Sequence, residues 1–194
     1  VDGAHGPGQI DVQLDAIGAD FYTATCHKWM CAPKGSGIFY AREDRQNLIE
    51  PLVVGWGWGN EKTFHRENEF LEHHEWLGTH DPSAYLTVPS AIAWLKTNIT
   101  DEVRNRACCL ARSAVGWAAQ IDGIQRVHPD PFYRQMGLID VTARCSDAEA
   151  LKSRLYEQHR IEAPVIRWHD RTFIRISTHA YTTEDHIQTF IQSL

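Results

Sequence analysis

Lys28 and Asp2 are placed to act on one ligand from two sides. Lys28 sits in Cys26-His27-Lys28-Trp29, directly after Asp20-Phe21-Tyr22-Thr23-Ala24, which reads as a short strand. A lysine just past a strand end, between aromatic and small residues, is at a position where a site can partly desolvate it. Desolvation disfavours the ammonium and leaves the neutral amine that condenses with a carbonyl to an imine. Asp2 lies twenty-six positions earlier, at what reads as the end of a neighbouring strand. In α/β sheets ligands bind beyond the carboxyl ends of the strands, so this amine and this acid are expected to face a single ligand. Pyridoxal phosphate (PLP) needs such a pair. A lysine takes its aldehyde carbon and later moves the proton at the substrate Cα, while a carboxylate keeps its pyridine nitrogen protonated. Each residue alone has an ordinary reading: Asp before Gly as a turn, a loop Lys as a solvated cation, His27 as a hydrogen-bonded structural histidine. The combination is more specific than its parts.

The elements that must position these groups follow from the pattern around them. Asp11 to Ile17 forms a short helix before the strand at 20–24, and Gly37-Ile38-Phe39-Tyr40-Ala41 reads as a further strand. Strand, helix, strand in that order predicts a parallel α/β arrangement. Residues 55–80, opening with Gly55-Trp56-Gly57-Trp58-Gly59-Asn60, read as a long loop region of the binding or interface kind. Trp56 and Trp58 either shape a substrate entrance or pack that loop. From Asp81 the texture changes. Ser83 to Lys96 has helical spacing, and Thr100-Asp101-Glu102 caps a second helix that runs to about Ile121 and ends at Asp122-Gly123. A strand at Gly137–Thr142, a helix from Ser146-Asp147 to about His159, strands near Ile161–Val165 and Thr172–Ser177, and a helix from Thr183 complete a small α+β domain. Cys108-Cys109 falls within a helix pattern and is expected in the core.

Val-Asp-Gly-Ala-His at 1–5, Asp20-Phe21-Tyr22, His27-Lys28-Trp29 and Ala32-Pro33-Lys34-Gly35-Ser36-Gly37 together resemble the class V aminotransferase group of PLP enzymes. That group holds cysteine desulfurases, isopenicillin N epimerase-like proteins and related C–S lyases. The resemblance extends over nearly the whole chain, densest in residues 1–40, and the Ala-His and His-Lys-Trp pairs resemble the epimerase-like branch most. It implies an α/β fold: the C-terminal part of the large PLP-binding domain, with a mostly parallel sheet, followed by a small α+β domain. Residues 1–98 would belong to the first, with its interface loops and connecting helix, and residues 99–194 to the second.

The resemblance also implies roles. Lys28 would form the internal aldimine, Asp2 would pair with the pyridine nitrogen, and His5 would lie near the phenolic oxygen. Thr25 and His27 would hydrogen-bond the phosphate. Gly78-Thr79 resembles the segment that reaches the phosphate of a neighbouring subunit, although an ordinary helix-entry turn before Asp81-Pro82 fits equally. Arg175, flanked by apolar residues in Phe173-Ile174-Arg175-Ile176-Ser177, must send its fork to a partner. That partner is a structural carboxylate or, by resemblance, the α-carboxylate of an amino-acid substrate. No cysteine stands between His159 and Arg175, where desulfurases carry a nucleophile, and Ile161-Glu162-Ala163-Pro164-Val165 resembles the epimerase-like branch. Epimerase-like or C–S lyase chemistry through Cα deprotonation is therefore expected. The alternatives are a class V aminotransferase or desulfurase-related enzyme, or a non-catalytic interaction module. Family members are dimers, so a homodimer is implied as well. The family's phosphate-cradling turn and ring-stacking aromatic residue cannot be located in these 194 residues. With Val1-Asp2-Gly3-Ala4-His5 reading as a strand already running into a loop, a piece of a longer protein is expected, one that binds PLP weakly or not at all by itself.

Bulk properties set outer limits. A hydrophobic share of 43% supplies a packed core, and the formal charge of −6 with no long basic run argues against a nucleic-acid partner. No apolar run reaches the ~20 residues a bilayer-spanning helix needs. Five cysteines, Cys26, Cys31, Cys108, Cys109 and Cys145, make an odd, scattered set without paired zinc spacing. No metal site is expected, and free thiols in a reducing compartment, the cytoplasm, fit best.

Overall fold

Tyr22 and Ala24 are buried while Thr23 between them is exposed, the period-two pattern of a strand covered on one face. In the computed structural model this strand, β1 (Phe21–Thr25), pairs with β2 (Gly37–Ala41) in register from Phe21↔Ala41 to Thr25↔Gly37. The structure describes residues 1–59, 62, 68–129 and 134–194, and the chain divides into two compact units, Val1–Leu95 and Lys96–Leu194.

In the first unit the parallel pairing expected of the strand-helix-strand order is found between the segment at Asp2 and β1, across helix residues Leu14–Ile17. β1 and β2 are antiparallel, because the segment between them turns straight back and holds no crossover helix. The parallel element is smaller: Asp2 bridges Thr23 in parallel, with the Gly3 amide donating to the Thr23 carbonyl at 2.7 Å. Helix α1 covers only Leu14–Ile17 and stops at Gly18 in the left-handed conformation. A small core gathers Cys26, Met30, Ala32 and Ala91, with Val88 and Leu95 packed on it.

The region 55–80 is not all loop. Helix α2 (Glu69–Glu75) lies within it, started by the Asn68 side chain, which accepts from the Leu71 amide. Trp56 packs on Trp76 at 5.6 Å between ring centroids and Trp58 on His73 at 4.4 Å. The two tryptophans thus hold the Gly-Trp turns against α2. Residues 60, 61 and 63–67 of the same expectation lie outside the described residues. The helix expected over 83–96 is two helices, α3 (Ser83–Leu86) and α4 (Val88–Asn98). Pro89 has no N–H to continue the ladder, which is why the break falls there.

The second unit packs helices on one face of a four-stranded antiparallel sheet. β3 (Gln125–Arg126), β4 (Met136–Asp140), β5 (Val165–Trp168) and β6 (Arg171–Ser177) are ordered β3-β4-β6-β5. Helix α5 (Asp101–Ala118) is capped by Thr100, α6 (Ala148–His159) by Asp147, and α7 (Glu184–Ser193) by a reciprocal Thr183–His186 capping box. Ala114, Val115 and Ala118 of α5, Leu155 of α6 and Ile187 and Phe190 of α7 close over Ile139, Ile174 and Ile176. The strand expected at 161–165 starts later. The Ile161 amide caps α6 by donating to the Leu155 carbonyl, and the ladder begins at Val165 after Pro164. Cys109 is exposed and Cys108 half-buried, so the expected core pair is corrected: α5 buries the alanine stripe Ala107, Ala111, Ala114 instead.

Candidate active site

Three short segments meet at the end of β1: the turn after Asp2, the strand end at Thr25, and the loop 26–32. The loop is closed at its base by the Ala32 amide donating to the Cys26 carbonyl at 3.0 Å and the Cys26 amide donating to the Ser36 carbonyl at 3.1 Å. Cys31 takes a left-handed backbone with φ of 58°, which turns the loop back after Lys28 and Trp29. Cys26 is buried and packs with Met30, Ala32 and Ala91, and burial pushes its thiol up, against a smaller lowering by Ser36.

Asp2 is fixed by its backbone beside β1, and its Oδ1 accepts from the Ala4 amide at 2.9 Å. Its other oxygen has no partner among the described residues. The turn is tied down twice more. Thr25 Oγ1 donates to the Ala4 carbonyl at 3.1 Å, and Tyr22 Oη donates to the Gly3 carbonyl at 3.3 Å. Burial pushes the Tyr22 phenol up, and the nearby Asp2 carboxylate adds to the effect. Two glycines are required by this packing. A Cβ on Gly3 would meet the Tyr22 ring at 2.0 Å. Gly8, with φ of 85°, lies against the Trp29 carbonyl, where a Cβ would come within 2.6 Å.

His5 is the hinge of the cluster. Its Nδ1 accepts from the buried Trp29 indole N–H at 3.0 Å, and its Nε2 lies 3.3 Å from Lys28 Nζ. The structure therefore sets His5 beside Lys28 and ties Thr25 to the turn that Asp2 begins. His27 is exposed, with no partner among the described residues, and Thr79 is exposed after Gly78. Lys28 is exposed too, which corrects the expected desolvation: in this chain the amine stands at the surface, with the His5 ring as its neighbour. Thr25 is also committed. A hydroxyl has one proton to donate, and here it goes to Ala4.

The donor set fits PLP. A carboxylate with one oxygen unengaged among the described residues and a primary amine beside an imidazole suit a group that carries a protonatable ring nitrogen and an aldehyde. The Trp29–His5 bond was not anticipated from the sequence. Its signal was present, since a buried indole N–H demands an acceptor.

Arg175 lies in the second unit. Ile174 and Ile176 point into the helix-covered core, so strand alternation puts Arg175 on the opposite face, across from Leu138 of β4. Its Nε is buried and has no hydrogen-bond partner among the described residues. The structural carboxylate expected as one of its two possible partners is absent among those residues as well. Asp140 of β4 is taken by Arg171, at 2.6 and 2.9 Å. Among the described residues, no group of three or more His, Cys, Asp or Glu could hold a metal ion, and no helix is long and apolar enough to cross a membrane.

The chain is similar to known proteins along its whole length. The family model described as aminotransferase class-V matches residues 1–190. Isopenicillin N epimerase of Amycolatopsis lactamdurans is 30% identical over 210 residues, covering 100% of this chain and 51% of that protein. A probable chloroplastic L-cysteine desulfhydrase of Arabidopsis thaliana is 30% identical over 180 residues, covering 85% of this chain and 35% of that protein. Among solved structures, the cystine C–S lyase C-DES in complex with cysteine persulfide superposes with a TM-score of 0.77 at 24% identity, over 98% of this chain and 50% of that one. The chain spans about half the length of the epimerase and lyase relatives (51% and 50%).

Proposed function

The chain belongs to the aminotransferase class-V family, and on that premise we propose that it carries the lysine half of a PLP site and serves a protein that acts on an amino acid. The observation that carries this reading is the meeting of Lys28 Nζ with His5 Nε2 at 3.3 Å, beside the turn that Asp2 begins. PLP, when bound, supplies the electron sink that makes the substrate Cα acidic. The chain's own groups do the rest. Lys28 provides the amine for the cofactor's aldehyde and then holds or returns the proton at Cα. Asp2, through its unengaged oxygen, holds the proton on the pyridine nitrogen. His5 would lie by the phenolic oxygen, and His27 would hydrogen-bond the phosphate. Thr25 joins it only if its hydroxyl turns away from Ala4. Arg175, whose Nε has no partner among the described residues, takes the substrate α-carboxylate, the partner its planar fork suits best.

The reaction is epimerase-like or C–S lyase chemistry: both begin with removal of the Cα proton, after which return of a proton to the opposite face of Cα gives the epimer, or departure of the sulfur group from Cβ gives the elimination product. The similarity to an isopenicillin N epimerase and to an L-cysteine desulfhydrase supports this pair. The lack of any cysteine between His159 and Arg175 speaks against an ordinary desulfurase. We read residues 1–98 as the end of the cofactor-binding domain and 99–194 as the small domain. A homodimer in which Thr79 reaches the partner's phosphate, in the cytoplasm, completes the proposal.

The test uses the full-length protein. After incubation with PLP and borohydride reduction, peptide mapping is expected to find the phosphopyridoxyl adduct on Lys28. An adduct on another lysine, or none, overturns the reading. Offered L-amino acids and S-substituted cysteines in deuterated water, an epimerase returns substrate labelled at Cα, and a lyase releases pyruvate and ammonia.

A further inference from the structure

We propose that the cavity beside Arg175 is a side-chain subsite with Arg160 as its distal anchor, so that the substrate is an amino acid whose extended side chain ends in a second carboxylate, and not free cysteine. The fold makes this cavity at an open sheet edge. β5 pairs with β6 from Trp168↔Arg171 to Val165↔Ile174, and one last bond runs from the Arg175 amide to the Pro164 carbonyl at 3.0 Å. Past that point Ile176 and Ser177 have no strand on this side among the described residues. Between that edge, the segment 159–164 and helix α7 lies a cavity of about 490 Å³, in the size range of sites that take ligands far larger than cysteine. Ile161, Pro164, Ile187 and Phe190 give it apolar walls, suited to methylenes.

Two guanidinium groups border the cavity, those of Arg175 and Arg160. The Arg160 fork makes no hydrogen bond or ion pair among the described residues, and the Arg175 Nε is buried without a partner there. Arg160 also stands where a side chain is disfavoured. It closes α6 in the left-handed conformation, with φ of 57°, while its amide donates to the Leu155 and Tyr156 carbonyls. Glycine would do that backbone task with less strain, so the arginine there points to a use for its side chain. Ile161 to Pro164 carry the chain from Arg160 to the bond with Arg175, a span of at most about 14 Å when fully extended. Two cationic anchors at the ends of such a span suit a molecule with a carboxylate at each end and methylenes between. Glu162 is the acid among the lining residues. It is exposed, while Ile161 and Ala163 on either side pack on the core, so it stands toward solvent and the cavity keeps an excess of positive charge.

This rests on the reading of Arg175 as the grip on the α-carboxylate in a PLP enzyme, and the experiment separates the two. The full-length protein with PLP is given L-2-aminosuberate, L-2-aminooctanoate, L-homolysine and L-cysteine in deuterated water, and deuterium entering Cα is followed. The first two have the same carbon chain and differ only at its end, a carboxylate against a methyl. Aminosuberate is expected to exchange with kcat/KM about tenfold or more above the other three, the worth of one charge-assisted bond. Arg160→Gly suits the left-handed position and so keeps the fold; it is expected to erase that advantage and leave aminooctanoate unchanged. Calorimetry on the cofactor-free protein gives the second signature: suberate binds more tightly than octanoate in the wild type, and equally in Arg160→Gly. Fastest exchange with cysteine or aminooctanoate, or an Arg160→Gly protein that still prefers aminosuberate, overturns the inference. So does a preference for homolysine, which would assign the far end of the cavity to Glu162. If suberate binding depends on Arg160 but no amino acid exchanges its Cα proton, the PLP reading fails and the subsite stands. If amino acids exchange and the variant is indifferent to the terminal carboxylate, the PLP reading stands and the subsite fails.

Discussion

Arg175→Lys keeps a positive charge on β6 and removes the planar fork. If the fork grips an α-carboxylate bidentately, KM for the amino acid rises by about tenfold or more in the full-length protein, with a smaller change in kcat. A steady-state assay that finds KM unchanged would leave Arg175 without its proposed partner. Lys28→Ala removes both the cofactor amine and the proton carrier, so turnover is expected to vanish, and added primary amines should restore a little of it. At this scale the residue types and their spacing were legible in the sequence: an acid, a histidine and a lysine on one strand-loop system. What was not legible was how each is satisfied. Thr25 donates to Ala4 and Trp29 to His5, because polar groups near a turn find the nearest acceptor in space, and that acceptor is twenty-one or twenty-four positions away in the chain.

Elements hold those residues in register. Gly8 must adopt φ of 85° with Trp29 pressed against it, so Gly8→Ala is expected to destabilise the protein by about 1–3 kcal/mol, read by urea unfolding. In the second unit the β4–β6 pair is pinned by Asp140. Burial by itself would raise this carboxyl. Hydrogen bonds from Thr142 and the Arg171 guanidinium outweigh burial and hold it below the usual carboxylate range. A carboxyl lowered on folding contributes stability that is present above its unfolded value, near about 3.9, and is lost as pH falls through the folded value. Asp140→Asn is therefore expected to cost about 1–2 kcal/mol at neutral pH, with the gap to wild type closing in acid. Denaturant curves at neutral and acid pH check the sign. Several helix limits followed from caps visible in the sequence, such as Thr100, Asp147 and Thr183. The strand at 161–165 and the direction of β2 did not, since pairing partners and not local residue preference decide both.

Across the whole molecule, the first unit leaves Leu52, Val54, Trp56, Leu77 and Leu86 more than half exposed, an unusual amount of bare apolar surface for a stable monomeric unit. The isolated 194-residue chain is accordingly expected to bind an apolar dye or self-associate, and to show no stable absorbance band with PLP. The full-length protein should show that band and lose it on Lys28→Ala. A band in the isolated chain that depends on Lys28 would mean these residues suffice for the cofactor. The sequence by itself determined which chemistry is available, because an amine, a carboxylate and an imidazole are properties of residue type, and their order along the chain matched one family. Tertiary structure decided which polar groups meet. The Trp29 indole on His5, the Thr25 hydroxyl on Ala4 and the Arg175 Nε left without a partner among the described residues are set by contacts of a few ångströms between residues distant in the chain, and spacing along a sequence does not encode them.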